Sequence, residues 1–282
     1  MGPILYHFAM DAWFLSHYSE AADLVASSLR RLSRAGGRPF HEQRVLDVGC
    51  GDGIMALGVC HAGAGSVTGV DVTDSFRTLP AQVSKSLGGK QLPDRLTFVQ
   101  IALGQPLPFP DSAFDAAYSW SVFEHVADVS GLLAEVFRVL CPGGGFFLQI
   151  EPLFHSPYGA HLRRLADEPW GHLIEEGAFL SRARDAADRI ADNEKDVLYQ
   201  DNSFEDVKRY LLNEYASLNR ITLAALTRAV EAAGFEIVDR WTSQVEGFAP
   251  PITLLDNYAE EDLRTNEVRF ELRKPVAGGG VR

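Results

Sequence analysis

The sequence has 282 residues, of which 46% are hydrophobic and 23% charged, a composition that is typical of a folded protein and excludes a disordered chain. Its 38 acidic residues outnumber its 26 Lys and Arg residues, and the net charge of -12 argues against nucleic acid as a partner. Cys50, Cys60 and Cys141 form no CxxC pair, which favours reduced thiols and a cytoplasmic protein. No apolar run reaches the roughly 18 to 20 residues of a membrane span, so no membrane association is expected.

Residues 1–36 predict an N-terminal helical cap. Within them, residues 19–35 place Leu24, Val25, Leu29 and Leu32 near helical spacing. The aromatic group that precedes this helix could either close over a ligand or belong to the core; it comprises Tyr6, His7, Phe8, Trp13, Phe14 and Tyr18.

Short apolar runs separated by Gly, Asp and Pro follow, which is the pattern of a parallel α/β sheet. Five strands are predicted, each apolar enough to be covered on both faces: 44–48, 66–70, 96–100, 114–119 and 145–151. These strands lie in a predicted core of residues 37–152 and 219–275.

The stretch 153–218 breaks this rhythm and predicts an inserted helical lid, with helices near 179–190 and 204–215. Thr222 then caps a helix that ends at Gly234, and two further strands are predicted at 235–245 and 266–273. Residues 276–282 are expected to form a flexible tail.

The first strand runs into a loop in which Gly49, Gly51 and Gly53 let the backbone turn tightly and approach a ligand. The helix that follows offers unpaired N–H groups, and open α/β sheets bind ligands at the carboxyl ends of their strands. The Gly-x-Gly-x-Gly spacing departs from the Gly-x-Gly-x-x-Gly of dinucleotide sites. The loop therefore predicts a site for a polar small molecule that need not contain a pyrophosphate.

Two acidic residues flank this loop. Asp47 is expected at the end of the first strand, where its carboxylate could pair with an ammonium group. Asp71 closes the second strand, and a carboxylate at that position suits two ribose hydroxyls. Together they predict a site for a cationic nucleoside.

An ordered set of motifs resembles the class I S-adenosylmethionine-dependent methyltransferases over residues 44–151, and more loosely over the last two strands. It consists of Asp-x-Gly-x-Gly-x-Gly from Asp47, Gly69-Val70-Asp71, the segment 107–115, Glu124-His125-Val126 and Arg138-x-Leu-x-Pro-Gly-Gly. The resemblance implies a Rossmann-like, seven-stranded, mostly parallel sheet with N-terminal helices and a helical lid insertion. It also implies S-adenosylmethionine as cofactor and a small-molecule acceptor, most simply an oxygen of a natural product or sugar.

The resemblance also assigns the cofactor contacts by position. It implies that Asp47 and the glycine loop hold the methionine moiety, Asp71 the ribose, and Val72 one face of the adenine. Many relatives have Asp where Leu103 stands at the adenine edge, so a backbone group or Gln105 would have to meet the adenine amino group. The predicted cofactor residues are Asp47, Gly49, Cys50, Gly51, Gly53, Asp71, Val72, Ala102, Leu103 and Ser119.

A hydroxyl acceptor would benefit from a base within hydrogen-bond reach, and histidine suits that role near neutral pH. The catalytic candidates are His125, His155, His161 and His172, although each could instead cap a helix or bond to the backbone. Glu151, His155 and His161 could bind a divalent metal, but no tight ligand spacing requires it, and no metal is expected.

Two other functions stay open. A nicotinamide-dependent oxidoreductase shares the strand, glycine loop and distal Asp, but it predicts Gly-x-Gly-x-x-Gly and gives no reason for a Pro-Gly-Gly turn before the fifth strand. A catalytically silent S-adenosylmethionine-binding regulator would keep Asp47 and Asp71 and lose the acceptor pocket. Oxygen, nitrogen and carbon acceptors, and a homodimer, also remain open.

Overall fold

The computed structural model describes residues 19–33, 37–86, 91–189 and 212–276. The strands are β1 (Arg44–Val48), β2 (Ser66–Asp71), β3 (Leu96–Gln100), β4 (Phe114–Trp120), β5 (Leu140–Ile150), β6 (Glu236–Gln244) and β7 (Thr265–Arg273). The predicted aromatic group of residues 6–18, the glycine tail and most of the predicted helix 204–215 lie outside the described residues.

The described helices include residues 19–32, Ile54–His61, Leu79–Ser86, Val129–Val139, Gly171–Ile174, Glu176–Arg189, residues 212–217, Leu223–Ala232, Ile252–Leu255 and Glu260–Arg264. Short 3₁₀ helices span Phe40–Glu42, Ser75–Thr78 and Phe123–His125. Thr222 caps its helix as predicted, because its side chain accepts a hydrogen bond from the Ala225 N–H, and Gly234 follows with a φ of 96°. Within the described ranges, no helix combines the length and apolar character that crossing a bilayer requires.

The described strands form one sheet in the order β3-β2-β1-β4-β5-β7-β6. Strands β1 to β5 pair in parallel, whereas β7 is antiparallel to both of its neighbours. The strand order reverses at β1, between β2 and β4, and this switch point is where open α/β sheets bind ligands. The predicted Rossmann-like, mostly parallel seven-stranded sheet is confirmed, and the glycine loop leaves β1 at its switch point.

Most predicted strand bounds are correct to within one residue, but β5 begins at Leu140 rather than at residue 145. The cause is the Pro142-Gly143-Gly144 segment, which was predicted as a turn. Phe114 of β4 pairs with Leu140, and the next paired residues are Ala116 and Gly145, so the segment forms a bulge within the strand. Gly143 adopts a φ of 84°, a conformation that favours glycine.

Strand β3 was predicted to be covered on both faces, and it is covered only in part, because Phe98 and Val99 pack against different hydrophobic clusters and both stay partly exposed. It lies at one edge of the sheet, and Leu96 is its only buried residue. An edge strand has no neighbouring strand on one side, so the layers that pack on the sheet cover its side chains less completely. The apolar composition of the run 96–100 therefore did not indicate its position in the sheet.

Two hydrophobic clusters cover the sheet, and Val45 and Leu46 of β1 belong to different ones, as expected for side chains that alternate between faces. A third cluster lies outside the sheet, in the segment that follows β5. It contains Phe154, Leu162, Phe179, Tyr215 and Leu218. The segment predicted as a lid thus has a hydrophobic core of its own, while its function as a lid stays a prediction.

Candidate active site

The glycine loop connects β1 to the helix Ile54–His61. Gly49, Gly51 and Gly53 have φ values of 81°, 52° and 83°, all in the left-handed region. The N–H groups of Gly49 and Cys50 both donate to the Val70 carbonyl, at 2.8 and 2.9 Å. These two bonds hold the start of the loop against the end of β2.

The three glycines differ in their surroundings. A Cβ on Gly49 would lie 2.3 Å from Val122 Cγ2, and a Cβ on Gly53 would lie 2.6 Å from Phe98 Cζ. A Cβ on Gly51 would meet nothing within 4 Å. Packing of the protein itself therefore requires Gly49 and Gly53, and Gly51 is the loop glycine that faces open space.

The Asp71 carboxylate ties this loop to the end of β2. Its Oδ2 accepts the Gly51 N–H at 2.8 Å, and its Oδ1 accepts both the N–H and the hydroxyl of Thr73, at 2.7 and 2.9 Å. Because a carboxylate oxygen can accept about two hydrogen bonds, Oδ2 keeps one accepting position beside Gly51. The carboxylate is thus fixed in orientation, and its predicted role toward ribose hydroxyls stays a prediction.

Asp47 is the buried acid of the site. It is 2% exposed, and its Oδ2 has no hydrogen-bond partner among the described residues. Tyr118, its cross-strand neighbour on β4, is fully buried, and its hydroxyl makes no hydrogen bond of good geometry within the described part of the chain. Burial raises the pKa of Asp47 from 3.8 to about 7, while the nearby Tyr118 hydroxyl acts in the opposite direction and lowers this pKa. A cationic group would compensate this carboxylate, so the predicted ammonium partner fits the chemistry of the position.

The predicted adenine positions lie at the carboxyl ends of β2 and β3. Val72 is 45% exposed and Leu103 is 80% exposed, and Ala102 and Gln105 are exposed as well. The Gln100 amide donates to the Val72 carbonyl at 3.2 Å and links the two ends. Apolar surface is thus available where the resemblance implies adenine.

Ser119 and Cys50 were predicted to contact the cofactor, and the structure gives both a packing role. The buried Ser119 hydroxyl donates to the Val48 carbonyl at 2.8 Å, so its proton is already used within the protein. Cys50 is 5% exposed, and burial raises the pKa of its thiol, which keeps it protonated. Their cofactor contacts stay predictions.

The four predicted histidines form two pairs. His155 and His172 are buried; His172 Nε2 lies 2.7 Å from the Phe154 carbonyl, and the His155 ring packs against Tyr258 with centroids 5.2 Å apart. His125 and His161 are half-buried, and their rings meet edge to face at 5.3 Å. Of the four, the second pair is the one accessible to a substrate.

Burial lowers the pKa of each of these histidines. The pKa falls from 6.5 to about 4 for His161 and for His172, and it is also lowered for His125 and His155. All four imidazoles are therefore neutral near pH 7. A neutral imidazole can accept a proton or bind a metal ion.

An open cleft of about 610 Å³ lies beyond the carboxyl end of β5. His161 and Tyr158 line it, together with Glu151, which follows β5, and Asn266, which is near the start of β7. The Asn266 amide donates to Glu151 Oε1 at 3.1 Å. The cleft is at the same edge of the sheet as the glycine loop, where the parallel strands end.

The sequence did not predict a role for Glu124 or Glu214. Glu124 is 3% exposed, neither of its carboxylate oxygens has a partner among the described residues, and burial raises its pKa to about 8. Glu214 Oε2 lies 3.3 Å from His125 Nε2. The Glu-His pattern was a signal for Glu124, but Glu214 is far away in the sequence and has no motif around it.

Asn219 and Arg220, which the sequence left without a role, connect the sheet to the segment after β5. The Asn219 amide donates to the carbonyls of Phe123 and Val126, at 2.6 and 2.9 Å, and so holds the turn that carries His125. Arg220 pairs with Glu176 at 2.6 Å, and its guanidinium lies 4.9 Å from the centre of the Phe154 ring. Both residues act as structural contacts.

Known proteins resemble the chain in sequence and in fold. Residues 46–148 match the model of a methyltransferase domain family. The O-methyltransferase cnsE of Penicillium expansum is 31% identical over 177 residues, which are 61% of this chain and 62% of the relative. The 27-O-demethylrifamycin SV methyltransferase of Amycolatopsis mediterranei is 31% identical over 190 residues, which are 60% of this chain and 66% of the relative.

Among solved structures, the (4+2)-cyclase SpnF is similar with a TM-score of 0.52 and 22% identity, covering 92% of this chain and 81% of that chain. This likeness concerns the fold alone, and a protein named as a cyclase shows that the fold by itself does not define a reaction.

The matched domain contains the glycine loop, Asp71 and the motifs after β4, and the observed sheet is the Rossmann-like, mostly parallel sheet that the resemblance implies. Residues 46–148 therefore form a methyltransferase domain of the class I S-adenosylmethionine-dependent type, whose methyl donor is S-adenosylmethionine. This family assignment decides against a nicotinamide-dependent oxidoreductase. The chain spans less than two thirds of the length of the two curated relatives described above.

Proposed function

We propose that this protein is an enzyme that transfers the methyl group of S-adenosylmethionine to an oxygen of a small-molecule acceptor, such as a natural product. The proposal rests on the arrangement at the switch point of the sheet. There Oδ2 of the buried Asp47 carboxylate lacks a hydrogen-bond partner among the described residues, and the glycine loop is bonded to Asp71.

The donor side of the proposal uses three features. The Asp47 carboxylate would pair with the ammonium group of the methionine moiety, and Asp71 Oδ2 would accept a ribose hydroxyl beside the open face of Gly51. Val72 and Leu103 provide exposed apolar surface for the adenine ring. These positions lie along one edge of the sheet, as an extended nucleoside requires.

The acceptor side is supported by the extent of similarity to the two curated relatives. Their alignments cover 177 and 190 residues, which is more than the domain match at residues 46–148. The similarity to an O-methyltransferase therefore includes chain outside the donor-binding domain. We place the acceptor in the cleft that His161, Tyr158 and Glu151 line, because this cleft and the glycine loop share one edge of the sheet.

Bound S-adenosylmethionine supplies a methyl group on a sulfonium sulfur. With this donor held by Asp47, Asp71 and the glycine loop, transfer of the methyl group to an acceptor oxygen would leave S-adenosylhomocysteine, and the hydroxyl proton would pass to a base or to water. The protein has to align the reacting atoms and exclude competing water. We propose that His125 and His161 face the acceptor, and that His155 and His172 support the segment after β5.

The test is a binding measurement followed by a turnover screen. Calorimetry with S-adenosylmethionine should show binding, and NAD should not bind. S-adenosylmethionine with a labelled methyl group is then offered to a panel of phenols, sugars, amines and enolisable ketones. At least one of these acceptors should become labelled, and we expect the label on oxygen. Label on nitrogen or carbon would overturn the acceptor assignment, and binding without any turnover would favour the silent regulator.

A further inference from the structure

His125, His161 and Glu214 come from three separate parts of the chain and meet in space. His125 ends the 3₁₀ helix after β4, His161 lies in the segment after β5, and Glu214 lies in the helix of residues 212–217. Each offers one ligand atom, and these atoms all lie within 4.8 Å of one another. We propose that these three side chains bind one divalent transition-metal ion at the wall of the cleft.

The hydrogen bonds around His125 determine which of its nitrogens is free. The Ser217 hydroxyl donates its single proton to the Glu214 carbonyl at 2.8 Å. The Ser217 oxygen must then accept from His125 Nδ1, which lies 2.7 Å away, so Nδ1 carries the proton. In the neutral ring, Nε2 therefore has a lone pair, and it lies 3.3 Å from Glu214 Oε2. A proton on Nε2 would make this contact an ion pair, and a metal ion bound by Nε2 and Oε2 would take the place of that proton.

His161 is oriented in the same way. Its Nε2 lies 3.3 Å from the Pro152 carbonyl, which can only accept, so Nε2 carries the proton and Nδ1 keeps the lone pair. Histidines that bind metals commonly donate their second ring nitrogen to a carbonyl or another oxygen, which fixes the ligating nitrogen. Both histidines of the cluster have such an outer hydrogen bond.

The ligand types select the class of ion. Two imidazole nitrogens and one carboxylate oxygen suit Zn²⁺, Co²⁺, Ni²⁺, Mn²⁺ or Fe²⁺, whereas Ca²⁺ and Mg²⁺ prefer oxygen ligands alone. Three protein ligands leave at least one coordination position open, which is the pattern of catalytic sites. All three residues are half-buried, so an ion can enter from solvent.

From the sequence, no metal was expected, and Glu151, His155 and His161 were the metal ligands considered as an alternative. The three residues of the cluster are a different ligand set. His155 packs against Tyr258 and is 7% exposed, and the Glu151 side chain is bonded to Asn266. Only His161 of that set belongs to the cluster. Glu214 was missed because its partners are far away in the sequence.

A catalytic consequence rests on the proposed function, whereas metal binding does not. An ion at His161 would adjoin the cleft proposed for the acceptor, because His161 lines that cleft. A hydroxyl that binds such an ion becomes more acidic. The metal would thereby generate the oxygen nucleophile that methyl transfer needs.

Metal binding is tested directly, without donor or acceptor. Protein treated with a chelator and freed of it is titrated with Co²⁺, and both the heat and the visible spectrum are recorded. We expect one equivalent to bind, Zn²⁺ to displace it, and Mg²⁺ to have no effect. A parent protein that binds no Co²⁺ with these signals would overturn the proposal, whatever the donor-binding result.

Variants locate the ion. His125→Ala and Glu214→Gln should each weaken Co²⁺ binding more than about 10-fold, and Ser217→Ala, which removes the outer hydrogen bond, should weaken it about 10-fold. The matched control is His41→Ala, since the His41 side chain is 74% exposed on a separate 3₁₀ helix. Equal Co²⁺ affinity in Glu214→Gln, in Ser217→Ala and in the parent would show that the ion binds elsewhere. Circular dichroism establishes that each variant is folded.

Discussion

The backbone N–H of Gly51 donates to the Asp71 carboxylate at 2.8 Å, so the loop after β1 and the acidic end of β2 form one bonded unit. In this arrangement the side chain that is predicted to bind ribose also positions the glycine that faces open space. If Asp71 binds the donor as proposed, binding of the donor and the shape of the loop are coupled.

Asp71→Ala should weaken S-adenosylmethionine binding about 10- to 100-fold, because hydrogen bonds to a charged group each contribute about 1.5 to 3 kcal/mol. Calorimetry gives the affinity. Thr73→Val is the matched control, since it removes the hydroxyl that donates to Asp71 Oδ1 and leaves the carboxylate in place. Unchanged affinity in Asp71→Ala would contradict the ribose assignment.

The loop glycines should separate stability from binding. Gly51→Ala places its Cβ in open space, so it should cost only about 1 kcal/mol for its left-handed backbone, yet it should weaken donor binding at least about 10-fold by occupying ligand space. Gly49→Ala would drive its Cβ into Val122 and should destabilise the protein by about 2 to 4 kcal/mol.

Thermal melts and calorimetry measure both effects. The double variant Gly49→Ala/Val122→Ala removes the two shortest contacts, at 2.3 and 2.5 Å, and leaves the one to the Cβ of residue 122 at 2.9 Å, so it should recover part of the lost stability. A Gly51→Ala variant that binds the donor as tightly as the parent would show that the ligand does not approach this residue.

Asp47→Asn should stabilise the unliganded protein at pH 8 and weaken donor binding. The raised pKa means that folded Asp47 keeps its proton up to about pH 7, whereas the unfolded chain loses it near pH 4, so stability falls as pH rises between these values. At pH 8 the ionised, buried Asp47 costs about 4 kcal/mol, which Asn avoids.

Melting temperatures of parent and Asp47→Asn should therefore diverge from pH 5 to pH 8, with the variant higher. Donor affinity of the parent should decrease as the pH falls below about 7, because protonated Asp47 no longer attracts an ammonium group. Asp94→Asn, at an exposed position, serves as the control and should shift neither quantity. Parallel pH profiles for parent and Asp47→Asn would refute this account.

The two pairs of histidines should respond differently to truncation. His172→Ala removes a buried ring whose Nε2 lies 2.7 Å from the Phe154 carbonyl, so it should lower the free energy of unfolding by about 2 to 4 kcal/mol. His161→Ala should change stability less and reduce turnover more, since His161 lines the cleft. Urea unfolding and single-turnover rates measured on both variants give the comparison, and the reverse order would contradict it.

Much of the fold could be predicted because its signals are local. Thr222 and Gly234 mark the ends of one helix, and the apolar runs mark the strands. The bulge in β5 could not be predicted, because it depends on how Ala116 of β4 pairs with Gly145. The motif residue Arg138 illustrates the same limit. The sequence showed only that Arg138 belongs to a motif of the family. The structure shows what it contacts: its guanidinium bonds to Glu135, to Asp111 and to the carbonyls of Leu107 and Phe109.

The sequence also predicted where Asp47, the glycines and Asp71 would lie, because they stand at the ends of neighbouring strands, while their contacts with the donor stay a prediction. The acceptor side was not accessible from the sequence. His125 and Glu214 are distant in the sequence, and their contact depends on how the helix of residues 212–217 packs near the turn after β4. No spacing rule connects such positions.

The separate hydrophobic cluster around Phe154, Phe179 and Tyr215 has a consequence for how this protein can diversify. Because these side chains pack mainly with one another, the surface they support can be remodelled without disturbing the packing beneath the glycine loop. If this segment binds the acceptor as proposed, its exchange could therefore change the acceptor while the glycine loop and Asp71 stay unchanged.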